Sequence, residues 1–256
     1  MRRLLALFYG IISYVVFLGS FLYAIAFIGD FAVLKTINTG VEGPIVLSLI
    51  IDAGLLSIFA LQHSIMARQG FKKWWAKFIP KPIERSTFVL ASSLALILIF
   101  WQWRPVNAVI WDVGNGAAQT VIYGIYAVGW LIVLFGTFLI NHFNLFGLQQ
   151  VYRYMRNQKP LPPEFKKPFF YKVVRHPLMF GFIVAFWATP TMTVGHLLFS
   201  IATTGYILVA IQLEERDLVS FHGEDYIRYQ QEVSQIIPMP PRKVMITNPA
   251  QENYTD

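Results

Sequence analysis

Hydrophobic residues occur along this chain in long, nearly uninterrupted runs, and polar residues cluster between the runs. A helix needs about 20 apolar residues to cross the hydrocarbon of a bilayer. Six runs are candidates for membrane segments: 4–28, 44–66, 87–103, 118–141, 178–193 and 195–213. The last two runs are short and meet at Gly195. They are expected to form a tight helical hairpin with His196 in its loop, and either arm could fall short of a full crossing.

The composition supports a membrane protein, because 55% of the residues are hydrophobic and only 14% are charged. A soluble domain is about a quarter charged, so lipid must cover much of this chain. The predicted fold class is all-α: a multi-spanning membrane helical bundle of about five to six segments, with additional cytoplasmic helices. Residues 1–238 are expected to form one domain and 239–256 a polar tail. With no cysteine, disulfides and thiolate metal sites are excluded.

Basic residues lie on one side of the predicted bundle. All but Lys35 and Arg104 of the 21 Lys and Arg residues fall in the segments 1–3, 67–86, 142–177 and 214–256. Positive residues stay in the cytoplasm, so both termini are predicted to be cytoplasmic, in a bacterial inner membrane. Lipid headgroups rather than nucleic acid account for the net charge of +7. An aromatic belt is expected at Trp74, Trp75, Trp101 and Trp103.

The second run contains ionisable residues. Asp52 and His63 share one helical face but lie about 16 Å apart, too far for direct contact. An ionisable group inside a bilayer is costly and suggests a function. The alternative for Asp52 is a structural hydrogen bond to a neighbouring segment, and both interpretations stay open.

A second polar group lies where the fourth run ends, at Asn141, His142 and Asn144. The spacing predicts that His142, Gln149 and Arg153 share one helical stripe. Such a stripe suits a polar pocket at the membrane rim. Ordinary solvation at the interface is the alternative.

Two further motifs flank the hairpin. Pro177 can occupy the first turn of the fifth segment, where unpaired N–H groups and the Arg175 guanidinium could bind a carboxylate or phosphate. Gly181 would permit the close approach of a backbone or ligand. Glu214 and Glu215 follow the sixth segment, where the helix dipole disfavours them. They are expected to pair with Arg175 or a cationic ligand, and an internal salt bridge is the alternative.

These last motifs resemble the isoprenylcysteine carboxyl methyltransferase superfamily, although the family often has Tyr where this chain has Met179. The earlier segments 61–68 and 141–148 look like those of its methanethiol S-methyltransferase subgroup. The NnrU-like membrane proteins, a sister branch, are similar in the first half. The matching residues of the last third are Arg175, His176, Pro177, Gly181, Glu214, Glu215, Leu218, Gly223, Tyr226, Tyr229, Ile237 and Pro238.

The resemblance implies a membrane enzyme that methylates methanethiol to dimethyl sulfide with S-adenosylmethionine as donor and without a metal. It implies that His63 or His142 accepts the thiol proton, and the predicted catalytic residues are His63, His142, Asn141 and Asn144. The implied cofactor-binding residues are Arg175, His176, Pro177, Leu178, Gly181, Glu214, Glu215, Tyr226 and Tyr229. Two alternatives stay open: a methyltransferase for a larger lipid-like acceptor, and a non-enzymatic NnrU-like membrane or transport component, which Asp52 would suit. The oligomeric state is not predicted.

Overall fold

A computed structural model describes residues 1–160 and 169–239 of the chain. The tail predicted for 239–256 therefore lies almost wholly outside the described residues. Ten α-helices occur in the described part, together with a 3₁₀ turn at Phe169–Lys172 and two short strands, β1 (Val109–Asp112) and β2 (Thr191–Thr193). The helices are α1 (Arg2–Gly29), α2 (Ile45–Ala67), α3 (Gln69–Trp75), α4 (Lys81–Gln102), α5 (Ala117–Ile140), α6 (His142–Leu145), α7 (Leu148–Met155), α8 (Pro177–Trp187), α9 (Val194–His222) and α10 (Glu224–Glu232).

Five of the described helices, α1, α2, α4, α5 and α9, are long and apolar enough to cross a membrane. Each of the long helices packs against its neighbours in a closed circuit: α1 on α4, α4 on α2, α2 on α9, α9 on α8, and α8 on α5. Side chains of α5 return to α1, where the rings of Trp130 and Phe21 lie 5.3 Å apart. The predicted all-α membrane bundle is confirmed.

Aromatic residues fill the centre of this bundle. Phe27, Phe100 and Phe186 are buried there together with Trp103. Trp103 is only 1% exposed, and its indole N–H donates to the carbonyl oxygen of Ile37 at 3.0 Å. The assignment of Trp103 to an interfacial belt was therefore wrong, because its ring packs in the core.

The predicted C-terminal hairpin differs from the structure in both arms. Helix α8 ends at Trp187 after 11 residues, a length of about 16 Å against the roughly 30 Å of bilayer hydrocarbon. Pro190 cannot continue a helix, and Thr191–Thr193 instead pairs antiparallel with Val109–Asp112. Neither strand was predicted.

The second arm begins earlier and runs further than the sequence suggested. His196, expected in a loop, lies in the first turn of α9 and is 1% exposed. The helix then continues to His222, because no proline interrupts it before Gly223, whose φ of 55° ends it. Glu214 and Glu215 are consequently inside the last turns of α9 rather than beyond its end.

The stripe predicted for His142, Gln149 and Arg153 is also broken. Asn141 has a φ of 138° and ends α5, and Gly147 has a φ of 88° between α6 and α7. The backbone therefore changes direction twice, and the imidazole does not share a helical face with the other two side chains.

Helices α5 and α8 cross with their backbones in contact at Gly129 and Gly181. A Cβ atom added to Gly181 would lie 2.8 Å from the carbonyl oxygen of Gly129 and 2.9 Å from Cγ2 of Val133. Small residues at such crossings let membrane helices approach closely. The close approach expected at Gly181 is therefore to another backbone.

The Gly181→Ala variant should lose about 1–3 kcal/mol of unfolding free energy, because the extra methyl group has no room. Gly124→Ala in α5 is the matched control, since nothing lies within 4 Å of its added Cβ. Thermal unfolding of the purified proteins in the same detergent measures both. Equal midpoints for the two variants would contradict the tight crossing.

Candidate functional site

The carboxylate of Glu215 is the centre of a buried polar cluster at one end of the bundle. It accepts hydrogen bonds from Nε and Nη2 of Arg175 at 2.7 and 3.2 Å and from Nε2 of His176 at 2.9 Å. The side-chain amides of Gln230 and Gln235 donate to it at 2.9 and 3.2 Å. Glu215 is only 6% exposed. The predicted pairing of Arg175 with one of the glutamates that follow the sixth predicted segment is thus observed.

Arg175 also binds the last turn of α10 and the segment that follows it. Its Nη1 donates to the carbonyl oxygens of Gln230, at 2.9 Å, and Val233. Its backbone N–H donates to the carbonyl oxygen of Ser234 at 2.9 Å. Four of the five guanidinium N–H groups are thus used within the protein. The guanidinium fork is filled by Glu215, as in the internal salt bridge alternative, and direct binding of a ligand by Arg175 stays a prediction.

The remaining cofactor candidates of this region differ in accessibility. The Glu214 side chain is 51% exposed and lies 3.8 Å from Nδ1 of His176, so one carboxylate is available to a ligand. Tyr226 and Tyr229 are 2% and 3% exposed, and the Tyr229 hydroxyl donates to the carbonyl oxygen of Tyr171 at 2.5 Å. An adenine could stack on either ring only by displacing its neighbours.

The start of α8 is arranged as the sequence predicted in one respect. Pro177 occupies the first turn, and the backbone N–H groups of Leu178 and Met179 have no acceptor within residues 1–160 and 169–239. The Leu178 side chain packs over Gly136 of α5. Leu178 and Gly181, which the sequence analysis assigned to cofactor binding, therefore both contact α5.

A cavity of about 610 Å³ adjoins the Glu215 cluster, between α8, α9 and the segment after α10. Its lining combines polar residues, among them Arg175 and Gln230, with apolar residues, among them Phe180 from α8 and Leu208 from α9. A ligand with a charged part and an apolar part suits such a cavity. The other lining residues are Ile183, Gln231, Glu232, Val233, Ser234, Gln235, Ile236, Ile237 and Met239.

His142 lies in a closed aromatic environment, and both its ring nitrogens are hydrogen-bonded. We assign the hydroxyl hydrogen of Thr137 to the carbonyl oxygen of Leu134, 2.7 Å away, and this assignment makes Nδ1–H the donor in the 2.8 Å contact with Thr137. Nε2 therefore carries the lone pair and accepts from the Tyr14 hydroxyl at 2.8 Å. The ring stacks on Phe138, and burial lowers the pKa of His142.

His63 has the same tautomer but a free second nitrogen. We assign the hydroxyl hydrogen of Ser92 to the carbonyl oxygen of Phe88, 3.0 Å away, and on this assignment Ser92 accepts from Nδ1–H of His63 at 3.1 Å. Nε2 of His63 thus holds a lone pair, and no described residue donates to it. The ring lies against Phe59 and Phe88. Of the two candidate bases, only His63 has an unoccupied acceptor nitrogen in the described part of the chain.

Asn141 and Asn144 shape the turn that carries His142. The side-chain oxygen of Asn141 accepts from the backbone N–H of Asn144 at 3.1 Å and caps α6. The Gln150 amide donates to the side-chain oxygen of Asn144 at 3.1 Å. These bonds hold the turn between α5 and α7.

Asp52 is fully buried and lies far along α2 from His63. Its Oδ1 accepts from the backbone N–H of Arg104, the second residue after α4, at 2.9 Å and so connects that segment to α2. Oδ2 and the nearby Ser48 hydroxyl have no partner among the described residues. The structural alternative for Asp52 is thus supported by one definite hydrogen bond.

Four residues of these sites were missed by the sequence analysis: Tyr14, Thr137, Gln230 and Gln235. Tyr14 lies in an apolar run 128 positions before His142, and no local spacing connects them. The glutamines lie beyond α9, where the sequence analysis predicted only additional cytoplasmic helices.

Fold and site together define an integral membrane protein of the polytopic α-helical class, with a buried charged cluster and a cavity at one end of its bundle. The chain belongs to the NnrU protein family, whose sequence profile matches residues 52–220. Relatives of high identity are named methanethiol S-methyltransferase. No solved structure matches the chain.

Three of these relatives cover nearly the whole chain. The enzyme of Crocosphaera subtropica is 53% identical over 93% of this chain and 93% of its own. That of Mycobacterium tuberculosis is 52% identical over 94% and 99%. Methanethiol S-methyltransferase 1 of Bradyrhizobium diazoefficiens is 51% identical over 92% and 83%. The resemblance noted from the sequence motifs is confirmed.

Glu215→Gln should destabilise the protein by about 3–5 kcal/mol, because it removes the charge that compensates the buried Arg175. Asp217→Asn on the same helix is the control. Asp217 pairs with Arg68 at 3.1 Å and is 47% exposed, so its loss should cost at most about 1 kcal/mol. Thermal unfolding in detergent measures both, and similar losses would contradict a central role for Glu215.

The burial of His142 should make the stability of the protein depend on pH. The folded protein keeps its imidazole neutral because burial lowers the pKa, whereas the unfolded chain takes up a proton below the ordinary value of 6.5. Stability present above pH 6.5 should therefore be lost as the pH falls, by up to about 1.4 kcal/mol per pH unit. His142→Gln should show a smaller loss of unfolding midpoint between about pH 7.5 and 5.5. An unchanged slope would contradict this origin.

Proposed function

We propose that this protein transfers a methyl group from S-adenosylmethionine to methanethiol and so forms dimethyl sulfide. The proposal rests chiefly on the relatives named methanethiol S-methyltransferase, which share about half of their residues with this chain across nearly its whole length. The matched region covers 92–94% of this chain in the three relatives.

The cavity beside the Glu215 cluster fits the proposed donor in size and character. When bound there, S-adenosylmethionine supplies a methyl carbon that is electrophilic because it is attached to a sulfonium sulfur. Glu214, Leu178 and Met179 are not part of the cavity lining, although each is close in sequence to a residue of the Glu215 cluster. The half-exposed carboxylate of Glu214 stays a candidate for an amino group or ribose hydroxyls, and the free N–H groups of Leu178 and Met179 stay candidates for a carboxylate. Arg175 and Glu215 act by holding the cavity wall in place.

His63 is proposed as the group that takes the thiol proton. A thiol of cysteine-like pKa, about 8.5, is mostly protonated near neutrality, and the thiolate is the nucleophile. Nε2 of His63 has the lone pair and no donor among the described residues, whereas Nε2 of His142 already accepts from Tyr14. His142, Asn141 and Asn144 then act as positioning residues of the α5–α7 turn.

The basic end of the bundle is proposed to face the cytoplasm of a bacterial inner membrane. Three contacts place the basic segments together at this end: Arg3 with Asn157, Arg85 with the Leu145 carbonyl, and Arg68 with Asp217. Positive residues favour the cytoplasmic side. The soluble donor would thus reach the cavity from the cytoplasm, and a small apolar thiol would reach it through the bilayer.

Dimethyl sulfide in the headspace of cells given methanethiol tests the proposal directly. Expression of the wild-type chain should produce it, and purified protein in vesicles with labelled S-adenosylmethionine should label methanethiol in preference to prenyl thiols or phospholipid. Labelling of the larger acceptors instead would make the protein a methyltransferase for a lipid-like substrate. Failure to bind S-adenosylmethionine at all would favour a non-enzymatic NnrU-like component.

His63→Ala should lower the rate of methanethiol methylation by about 10²-fold near neutral pH, the usual contribution of a general base. The rate should recover as the pH rises, because more of the thiol is then ionised without assistance. His142→Gln is the control and should keep the wild-type pH profile even where it loses stability. If His142→Gln alone shows the alkaline recovery, the base is His142 acting through Tyr14.

A further inference from the structure

A small pocket of about 40 Å³ lies where α2, α3 and α4 meet, apart from the cavity beside Glu215. Its lining includes two cations, Lys72 and Arg85, with the carboxylate of Glu84 and the indole of Trp75. The volume admits one small charged group and excludes a nucleoside. The pocket therefore differs from the proposed methyl donor site in both place and size.

Three hydrogen-bond donor groups of this pocket have nitrogens that lack an acceptor among the described residues. The Lys72 ammonium has no hydrogen bond or ion pair to any described residue. Arg85 donates from Nε to the carbonyl oxygen of Leu145 at 2.8 Å, and its two terminal nitrogens have no acceptor in the same part of the chain. The indole nitrogen of Trp75 is buried without a partner. A buried indole N–H normally has an acceptor, and two partly buried cations beside it also have nitrogens that lack one. Together these donors indicate that the pocket accommodates an anion.

The charge of the pocket indicates an anion with a single negative charge. Lys72 and Arg85 together carry two positive charges, and Glu84 supplies one negative charge in the lining. Burial and, secondarily, the charge of Arg85 lower the pKa of Lys72, as expected for a cation whose counter-charge is incomplete. One monoanion would complete the balance.

The position of the pocket identifies the source of that anion. It lies between the end of α2 and the start of α4, two helices able to span a membrane, and therefore at the depth of the headgroups. Trp74 and Phe78 are exposed beside it, at 49% and 64%. Exposed aromatic residues next to lysines are typical of segments that lie at a membrane interface.

We propose that this pocket binds the phosphodiester of an anionic phospholipid, with Lys72, Arg85 and the Trp75 indole N–H as donors. A singly charged phosphodiester matches the charge, the donors and the size of the pocket. The lipid chains would extend past Trp74 and Phe78 into the bilayer.

Native mass spectrometry of the full chain in neutral detergent tests this site. With phosphatidylglycerol and phosphatidylcholine added equally, the wild type should retain one phosphatidylglycerol in preference. Lys72→Gln should reduce this retention about tenfold, as the loss of a charge-assisted hydrogen bond predicts, and Trp75→Phe should reduce it less. Lys77→Gln is the matched control, because Lys77 is exposed two residues after α3 and does not line the pocket.

Three outcomes would overturn the proposal. Equal retention by the wild type and Lys72→Gln would show that the pocket is not the site, provided that both elute alike in size-exclusion chromatography. Equal retention of phosphatidylcholine would remove the preference for an anion. Displacement of the lipid by millimolar inorganic phosphate or by S-adenosylmethionine, each added alone, would assign the pocket to a soluble anion.

Discussion

The buried carboxylate of Glu215 is the interaction on which the functional end of this protein depends. It joins the start of α8 to α9 through Arg175 and His176, and it joins both to α10 through Gln230 and to the segment beyond α10 through Gln235. An ionised carboxylate this far from water is tolerated only when charge and hydrogen bonds compensate its lost hydration. Because four different side chains supply that compensation, the cluster fixes three parts of the chain at once, and the cavity wall follows from it.

The hydrogen bonds of His63 and His142 distinguish these two candidate bases, which residue type alone does not. Each has a hydroxyl neighbour that has already given its only hydrogen to a backbone carbonyl, so each imidazole donates from Nδ1. The difference lies at Nε2, which is occupied by Tyr14 in His142 and free of described donors in His63. A proton acceptor must have an open lone pair, and this requirement favours His63.

The long helices and the Arg175–Glu215 pair could be predicted from the sequence, because both depend on strong and local signals. Uninterrupted apolar runs located α1, α2, α4 and α5 to within a few residues, except that α4 begins six residues earlier than the predicted 87. The Arg175–Glu215 pair could be anticipated because a buried charge requires an opposite one. The strands were not foreseeable, since Val109–Asp112 and Thr191–Thr193 are short and acquire their structure only by pairing with each other. The Tyr14–His142 contact likewise depends on how α1 packs against α5.

The order of the parts along the chain has a consequence for biosynthesis. Gln230 and Gln235, which complete the bonds to Glu215, follow every long apolar helix in the described sequence. A polypeptide interrupted by a nonsense codon after His222 would still insert its five hydrophobic helices into the bilayer. Its Glu215 carboxylate would keep Arg175 and His176 but lose both glutamine donors, so the defect would lie in the completed cluster and not in membrane insertion.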